Sequence, residues 1–331
     1  METKVFKGQD LIRLKQFLAY NSLKYDEGIE HTVCIFNEEG EIIATGSVEQ
    51  NVIKCVAVSP EYQGMGLGEK IVTNLMYYEI EKGRTHVFLY TKPENQQIFA
   101  ELGFYTIICT TDILFMENRK TGFLQYVQKL RLETKSEALE KGKKIGCVVA
   151  NCNPFTLGHL HLIKTALKIC DFVHLFIVSD NRSQFTEKQR LEMAEIGIEG
   201  LDRVFLHKTS EYIVSAATFP TYFFKDKVKA QEADCVLDLK LFAERIAPAL
   251  NIKERFVGNE PFCRITEGYN QEMKNLFPDY DIQVREIKRM EVHGKAISAS
   301  RVRNLIDKGK IQEVRQMVPE KVFNYLNLLF S

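Results

Sequence analysis

Residues Asn151–His159 read NCNPFTLGH and lie between an apolar run and a helical pattern. The run Ile145–Ala150 (IGCVVA) predicts a buried strand, and apolar residues at three- and four-residue spacing after His159 predict a helix. A helix N-terminus offers unpaired backbone N–H groups and a partial positive charge, which suit a phosphate. We therefore interpret this stretch as a phosphate-binding loop, with an ordinary turn capped by Thr156 as the alternative.

A second pattern of this kind lies near the C-terminus. Ile297–Arg303 reads ISASRVR and precedes apolar residues at helical spacing. Ser298 or Ser300 is placed to cap that helix, and Arg301 and Arg303 fall in its first turn. The stretch predicts a second anion site.

Together the two stretches resemble the paired signature of the nucleotidyltransferase α/β superfamily, TxGH followed by ISxSxxR. In that superfamily the two elements close on the triphosphate of ATP from opposite sides. A third stretch, RSQFT at Arg182–Thr186, resembles the segment of pantetheine-phosphate adenylyltransferases in which a phosphate-contacting lysine precedes a helix. Arg182 takes the place of that lysine, which keeps the charge but changes the hydrogen-bond geometry.

A narrower resemblance covers essentially the whole chain. It is carried by NCNPFTLGH and AISASRVR together with YIVSAATFP (Tyr212–Pro220), FAERIAPALNI (Phe242–Ile252) and RFVGNEPF (Arg255–Phe262). These strings, behind an acetyltransferase-like N-terminal region, resemble the citrate (pro-3S)-lyase ligase family. The resemblance implies that ATP and acetate are used to acetylate the thiol on the CoA-like prosthetic group of the citrate lyase acyl carrier protein. AMP and pyrophosphate are the implied products.

The N-terminal region has a glycine-rich turn of its own. Asn51–Ser59 predicts a strand, and a helix with one apolar face is predicted after Gln63–Gly68 (QGMGLG). This order, with LGF at Leu102–Phe104, resembles the GCN5-related N-acetyltransferases, whose loop grips the pyrophosphate of acetyl-CoA. The resemblance assigns binding of a CoA-like arm to Gln63, Gly64, Gly66 and Gly68. Fold alone does not establish acetyl transfer.

Strands and helices alternate through the C-terminal part of the chain. The predicted strands are Ile145–Ala150, Phe172–Ser179, Arg203–Leu206, Cys235–Leu237, Arg255–Val257 and Ile282–Glu286. This alternation predicts a doubly wound, Rossmann-like parallel sheet that binds ligands at the carboxyl ends of its strands. The predicted fold class is α/β, with an acetyltransferase-like α+β domain (1–135) before a nucleotidyltransferase domain (136–331). The charged segment Glu133–Lys144 marks the boundary.

The residues assigned to ATP lie in these loops and helix starts. Adenylyl transfer to a carboxylate depends on positioning and charge stabilisation, normally with Mg²⁺ bridging phosphate oxygens. The predicted catalytic residues are His159, Arg303, Arg182 and Thr156, which donate hydrogen bonds or neutralise charge. The predicted ATP-binding residues are Asn151, Cys152, Gly158, Gly258, Asn259, Ser298 and Ser300. No protein ligand to a metal is assigned.

Length and charge restrict the classes of protein. At 331 residues the chain is expected to hold two domains. Its 44 basic and 44 acidic residues balance, so bulk charge favours neither nucleic acid nor a membrane as partner. The sequence has neither a signal-peptide pattern nor an apolar run of membrane-spanning length, and we expect a cytoplasmic protein.

The eight cysteines lack a CxxC spacing and lie mostly in apolar runs, which is typical of reduced core thiols. Cys152 differs because it lies in the phosphate loop itself. A helix dipole there would lower its pKa, whereas the second interpretation makes it a small filler of the core.

Two other functions are compatible with the same residues. One is an adenylyltransferase that acts on a phosphate acceptor such as phosphopantetheine, although the long insert Lys208–Arg255 and the N-terminal region argue against it. The other is a CoA-dependent acetyltransferase or acetyl-CoA sensor whose C-terminal part only binds nucleotide. Acetate-dependent release of pyrophosphate separates the ligase from the first, and acetyl transfer from acetyl-CoA without ATP supports the second.

Overall fold

The structure, a computed structural model, describes residues 2–4, 6–25, 28–178, 183–210, 212–213, 235–259, 264–292 and 294–330. These residues divide into two compact units. The first contains residues up to 123 with the short stretch 235–237, and the second contains residues from 124 to 213 and from 238 onward. The predicted domain boundary after residue 135 stays a prediction. Among the described residues, no helix is both long and apolar enough to cross a membrane.

The first unit is built around a seven-stranded mixed sheet. Its strands are β1 (Glu2–Lys4), β2 (His31–Phe36), β3 (Ile42–Glu49), β4 (Val52–Val58), β5 (Phe88–Thr91), β6 (Tyr105–Cys109) and β7 (Leu114–Glu117). Its helices are α1 (Gly8–Tyr20), α2 (Leu67–Glu81) and α3 (Gln96–Glu101), with 3₁₀ turns at Pro60–Tyr62 and Pro93–Asn95. The sheet order is β1-β2-β3-β4-β5-β7-β6, in which β4 and β5 run parallel and the other pairs antiparallel.

Helix α2 packs an apolar face on this sheet and so fixes the position of the glycine-rich turn before it. Ile71, Val72 and Leu75 are buried in one cluster with Val33 and Ile53 of the strands. The helix begins at Leu67, directly after strand β4 and the turn. The predicted order of strand, glycine-rich turn and helix is therefore confirmed.

The second unit is built around a five-stranded sheet. Its strands are β8 (Ile145–Ala150), β9 (Phe172–Ile177), β10 (Val204–Lys208), β11 (Ile252–Gly258) and β12 (Gln283–Ile287), and β13 (Glu291–Val292) and β14 (Lys295–Ala296) form a separate hairpin. The helices that lie wholly or mostly in it are α4 (Gly122–Leu132), α5 (Leu157–Leu167), α6 (Glu187–Gly197), α7 (235–249, with a π turn at Phe242–Ile246), α8 (Arg264–Leu276), α9 (Ala299–Asp307), α10 (Ile311–Val314) and α11 (Glu320–Phe330). Short 3₁₀ turns lie at Ser136–Leu139 and Phe277–Tyr280.

The strand order of this sheet indicates where a ligand would bind. The strands lie in the order β10-β9-β8-β11-β12, and every neighbouring pair is parallel. The chain moves outward from β8 to one side first and then crosses to β11 on the other side. Loops that follow β8 and β11 therefore diverge and leave a crevice at the carboxyl ends of the strands. The predicted doubly wound parallel sheet is confirmed.

One predicted strand is wrong. Residues Cys235–Leu237 lie in helix α7 instead of forming a strand. Leu237, Leu241 and Phe242 are buried along the helix, so the short apolar run belongs to a helical pattern. Three apolar residues alone cannot separate the start of a buried helix from a short strand.

Two buried histidines and the exposed Glu133 form a chain of polar groups beside the sheet. Nδ1 of His174 lies 2.8 Å from Nε2 of His207, and Nδ1 of His207 lies 2.8 Å from the Glu133 carboxylate. Both imidazoles are fully buried. Burial lowers the pKa of His174 to about 3 and also lowers the pKa of His207, although the Glu133 carboxylate opposes the second shift.

Candidate active site

The turn before α5 is closed by a capping box between Thr156 and His159. Oγ1 of Thr156 accepts the backbone N–H of His159 at 3.4 Å, and the N–H of Thr156 donates to Nδ1 of His159 at 2.9 Å. A ring nitrogen that accepts a backbone N–H carries no proton itself, so the neutral imidazole holds its proton on Nε2. The cap thereby selects the tautomer that presents Nε2–H as a donor.

His159 is neutral at physiological pH. Burial, followed by the positive charge of Arg289, lowers the pKa of its imidazole to about 4. Within the described part of the chain, the hydrogen bonds of this ring are made through Nδ1. The ring is thus equipped to donate one hydrogen bond to a phosphate oxygen without changing its charge.

Cys152 turns its side chain into the core. The residue is 1% exposed and belongs to the apolar cluster that contains Phe155 and Ile163. Burial raises the pKa of its thiol far above the ordinary value, although the charge of Arg190 opposes that shift. This burial supports the interpretation of Cys152 as a small filler of the core and argues against a lowered pKa. A contact between Cys152 and ATP would come from its backbone, which has a φ of 48°.

A buried arginine joins the loops that follow β8 and β9. The guanidinium of Arg190, in α6, donates to the carbonyl of Asn151 at 3.0 Å, to Oδ1 of Asn151 at 2.6 Å, to the carbonyl of Val178 and to the carbonyl of Phe185 at 3.3 Å. The Asn151 amide also donates to the hydroxyl of Ser183 at 3.2 Å. Sequence reasoning missed Arg190, because a basic residue within a polar helical stretch is ordinarily placed on the solvent face.

Asn153 connects the phosphate loop to two helices. Its Oδ1 accepts the N–H of Phe185 at 3.2 Å, just before α6. Its carbonyl accepts a hydrogen bond of 2.6 Å from the guanidinium of Arg303, which is 150 positions away in the chain. The predicted catalytic Arg303 therefore lies against the loop that leads to His159.

The start of α9 lies beside the start of α5. Ser298 caps α9, because its hydroxyl accepts the N–H of Arg301 at 3.2 Å, and Ser300 is exposed in the first turn. A Cβ built on Gly158 would lie 3.7 Å from the carbonyl oxygen of Ile297. This distance is an ordinary van der Waals contact, so the backbone before α9 packs directly against the first turn of α5. The two stretches that predict anion sites therefore meet at one place.

The end of β11 contributes a third loop to this edge of the sheet. Asn259 donates its N–H to the carbonyl of Ile287 at 3.0 Å. The side-chain amide of the buried Asn270 donates to the carbonyl of Gly258 at 3.2 Å. A Cβ on Gly258 would meet nothing within 4 Å, so the space beside this glycine is open. Arg289 is fixed here by two bonds to Asn259, from its N–H to Oδ1 at 2.9 Å and from Nε to the carbonyl at 2.7 Å.

Arg289 was also missed at the level of sequence. A signal for it existed, since a basic residue just beyond the predicted strand Ile282–Glu286 falls at the carboxyl edge of a parallel sheet. Arg182 lies outside the described residues, and so do Glu260 and most of the stretch 212–220. The role of Arg182 therefore stays a prediction.

The first unit contains a cavity of about 870 Å³ at its glycine-rich turn. In strands β4 and β5, Val52 pairs with Phe88 and Ile53 pairs with Leu89. Beyond these two pairs, residues of both strands line the cavity. Gly64 and Gly66 have φ values of 78° and 70°, which glycine adopts without strain. All four residues predicted to bind a CoA-like arm contribute to the lining, namely Gln63, Gly64, Gly66 and Gly68.

Comparison with known proteins adds independent findings. Residues 145–326 match the family model of the citrate lyase ligase C-terminal domain, and residues 8–104 match the acetyltransferase (GNAT) family. The citrate (pro-3S)-lyase ligase of Escherichia coli K12 is 38% identical over 98% of this chain and 92% of its own length. Its namesake from Klebsiella pneumoniae is 39% identical over 95% of this chain and 91% of its own length.

Solved structures are similar to parts of the chain. Escherichia coli ElaA covers 36% of this chain and 99% of its own, with 14% identity and a TM-score of 0.31. Thermotoga maritima TmcAL bound with alpha-thio ATP covers 55% of each chain, with 18% identity and a TM-score of 0.34.

Proposed function

The chain belongs to the citrate (pro-3S)-lyase ligase family, and from this premise we propose that it uses ATP and acetate to acetylate the prosthetic-group thiol of the citrate lyase acyl carrier protein. The family resemblance drawn from the sequence is confirmed. One observation supports the chemistry most directly: the capped starts of α5 and α9 meet, with His159 and Arg303 on them. We place the reaction in the cytoplasm, where ATP is available.

The first step is adenylyl transfer. A carboxylate oxygen of acetate attacks the α-phosphorus of ATP in line, a new P–O bond forms, and the bond to the leaving pyrophosphate breaks. Nε2–H of His159 donates to an α- or β-phosphate oxygen, and Arg303 with Ser298 binds the β- and γ-phosphates. Thr156 sets the His159 ring and Arg182 neutralises charge on the reacting group. Preorganised donors of this kind stabilise the charge that develops in the transition state.

Mg²⁺ enters this scheme with the nucleotide. Among the described residues, no group of three or more His, Cys, Asp or Glu side chains is placed to hold a metal ion. Hydroxyl and backbone N–H donors around α5 and α9 suit the phosphates of MgATP, in which Mg²⁺ keeps several waters and binds phosphate oxygens. When bound, the ion neutralises phosphate charge.

The second step transfers the acetyl group to the thiol. The sulfur attacks the acetyl carbonyl of the adenylate, a thioester forms, AMP leaves and the thiol loses its proton. We assign the cavity at Gln63–Gly68 to the CoA-like arm of the carrier protein, because a glycine-rich turn at a helix start suits a pyrophosphate. The first unit thus binds the acceptor and need not catalyse an acetyl transfer of its own.

Release of pyrophosphate from ATP tests this function. We expect release to require acetate, and AMP to accumulate in equal amount when the carrier protein is present. Release that requires a phosphorylated acceptor such as phosphopantetheine, and not acetate, would identify an adenylyltransferase instead. Acetylation from acetyl-CoA without ATP would identify a CoA-dependent transferase.

A further inference from the structure

A second, smaller cavity lies in the second unit beside the cap of α9. It has a volume of about 330 Å³ and is lined by Asn259, Lys288, Arg289, Glu291, Lys295 and Ser298, among others. Three of these side chains are cationic and one is a carboxylate. A concave surface with this excess of positive charge favours an anionic ligand.

Arg289 is the cation of this cavity whose position is most firmly set. It follows β12, whose last residue, Ile287, is paired with Gly258 at the end of β11. Asn259 then accepts both the backbone N–H and the Nε–H of Arg289, at 2.9 and 2.7 Å. Its guanidinium is thereby held at the carboxyl edge of the sheet, with little side-chain freedom left to lose on binding a ligand.

The same guanidinium lies within electrostatic reach of His159. Its charge is the second cause, after burial, of the lowered pKa of that imidazole. The cavity also includes Ser298, the cap of the helix that carries Arg303. Arg289 therefore lines a cavity that adjoins the capped start of α9, one of the two helix starts that we assign to the phosphates.

We infer that Arg289 is a further catalytic residue, which binds the pyrophosphate that leaves ATP. The inference rests on the proposed function. As the α-phosphorus bonds to the acetate oxygen, the electron pair of the breaking P–O bond passes to the β-phosphate oxygen, and negative charge grows on pyrophosphate. A guanidinium held at this edge of the sheet stabilises that charge, and the planar geometry of its donors matches two phosphate oxygens.

Titration calorimetry of the full chain with MgATP, magnesium pyrophosphate and AMP, in separate runs, tests the inference. The variant is Arg289→Met, which keeps an unbranched side chain as far as the position of Nε and removes the guanidinium and its charge. The matched control is Arg285→Met, on the strand β12 that precedes Arg289, where the guanidinium pairs with Glu254. We expect Arg289→Met to weaken pyrophosphate binding at least about tenfold, the loss typical of one charged hydrogen-bond donor, with AMP affinity changed less than about twofold.

The possible results are distinct. Wild-type affinity for pyrophosphate in a folded Arg289→Met variant, or equal losses for pyrophosphate and AMP, would overturn the assignment to the leaving group. A wild-type chain that binds neither MgATP nor pyrophosphate would overturn the proposed function as well. If the methionine variant does not fold, the same titrations are made with Arg289→Lys. This variant keeps the charge but loses the Nε–H bond to Asn259. The inference requires weakened pyrophosphate binding in this variant, and unchanged binding would refute it.

Discussion

At the residue scale, the local bonds of His159 decide its chemistry. Histidine takes the third position of a capping box, in which Glu or Gln is the usual residue, and its Nδ1 accepts the N–H of Thr156. Its pKa of about 4 lies far below neutral pH. The side chain therefore acts as a neutral donor through Nε2, and proton transfer is not required of it.

Replacing His159 by alanine should slow acetate-dependent formation of AMP by a factor on the order of 10²–10³, the usual loss for one transition-state donor. Because protonation of the native imidazole occurs only near pH 4, this residue should add no inflection to the pH–rate profile near 6.5. Initial rates of AMP release between pH 5 and 8 check both points.

His161→Ala is the matched control for this prediction. His161 lies two residues further along α5 and is exposed, so its loss should leave the rate near that of the wild type. Equal losses in the two variants, or an inflection near 6.5 that disappears in His159→Ala, would contradict the role of His159.

At the scale of elements, α6 holds the active-site loops through one side chain. Arg190 is fully buried, and its hydrogen bonds reach the loop after β8, the end of β9 and the start of α6. Removal of a buried donor leaves its carbonyl partners without a hydrogen bond, at a cost of about 1–3 kcal/mol for each group. A single helix residue thereby connects the loop after β8 to the end of β9 and the start of α6.

Arg190→Met should lower the free energy of unfolding by on the order of 3 kcal/mol, because several buried carbonyls lose their donor together. It should also reduce the rate of AMP formation, because Asn151 and the phosphate loop lose their support. Urea-induced unfolding and initial rates measure the two effects.

Arg203→Met provides the comparison. Arg203 also donates to three carbonyls, of Leu167, Cys170 and Asp171, but it is exposed and lies at the opposite end of the strands. Its replacement should cost less stability and leave the rate nearly unchanged. A similar loss of activity in both variants would show that Arg190 has no particular link to the site.

At the scale of the whole molecule, stability should depend on pH through three histidines whose native pKa is lowered. The native pKa values are lowered to about 4 for His159 and about 3 for His174, and the pKa of His207 is lowered as well. Below about pH 6.5 the unfolded chain binds protons at these positions while the native chain does not. Each such group reduces the free energy of unfolding by about 1.4 kcal/mol per pH unit until its native pKa is reached.

The melting temperature should therefore fall steadily as the pH is lowered from 7 to 5. Above pH 7 these three histidines are neutral in both states and should contribute no further change. Scanning calorimetry at fixed ionic strength measures the trend. A melting temperature that stays constant or rises between pH 7 and 5 would mean that these imidazoles are charged in the native state.

The two units should perform separable tasks. Gly66→Val places a β-branched residue at a φ of 70°, beside the 870 Å³ cavity of the first unit. Acetylation of the carrier protein should fall at least about tenfold, since a distorted turn no longer fits the pyrophosphate of the arm. Acetate-dependent exchange between ATP and pyrophosphate needs only the nucleotide site and should stay nearly intact.

Gly83→Val controls for backbone strain in this experiment. Gly83 follows the other end of α2 with a φ of 75°, and a Cβ there would meet nothing within 4 Å. Both variants carry similar strain, but the residues that line the cavity exclude Gly83. Equal acetylation of the carrier protein by the two variants would refute the docking role of the first unit.

The sequence by itself determined the features that depend on near neighbours in the chain. Thr156 and Ser298 cap helices through bonds to residues three positions away, and Gly64 and Gly66 form a turn that their own backbones allow. The alternation of apolar strands and helices likewise predicted a parallel sheet. Such bonds and patterns involve residues that are close together in the chain, so they can be recognised from the sequence.

Only the tertiary structure decided which distant groups share the site. Arg190 reaches Asn151 across 39 positions, Arg289 reaches Asn259 across 30, and Arg303 reaches Asn153 across 150. The burial of the Cys152 thiol and the helical state of residues 235–237 also depend on what packs around them. Desolvation and long-range hydrogen bonds act through space, and no local pattern encodes the partner that folding brings to a side chain.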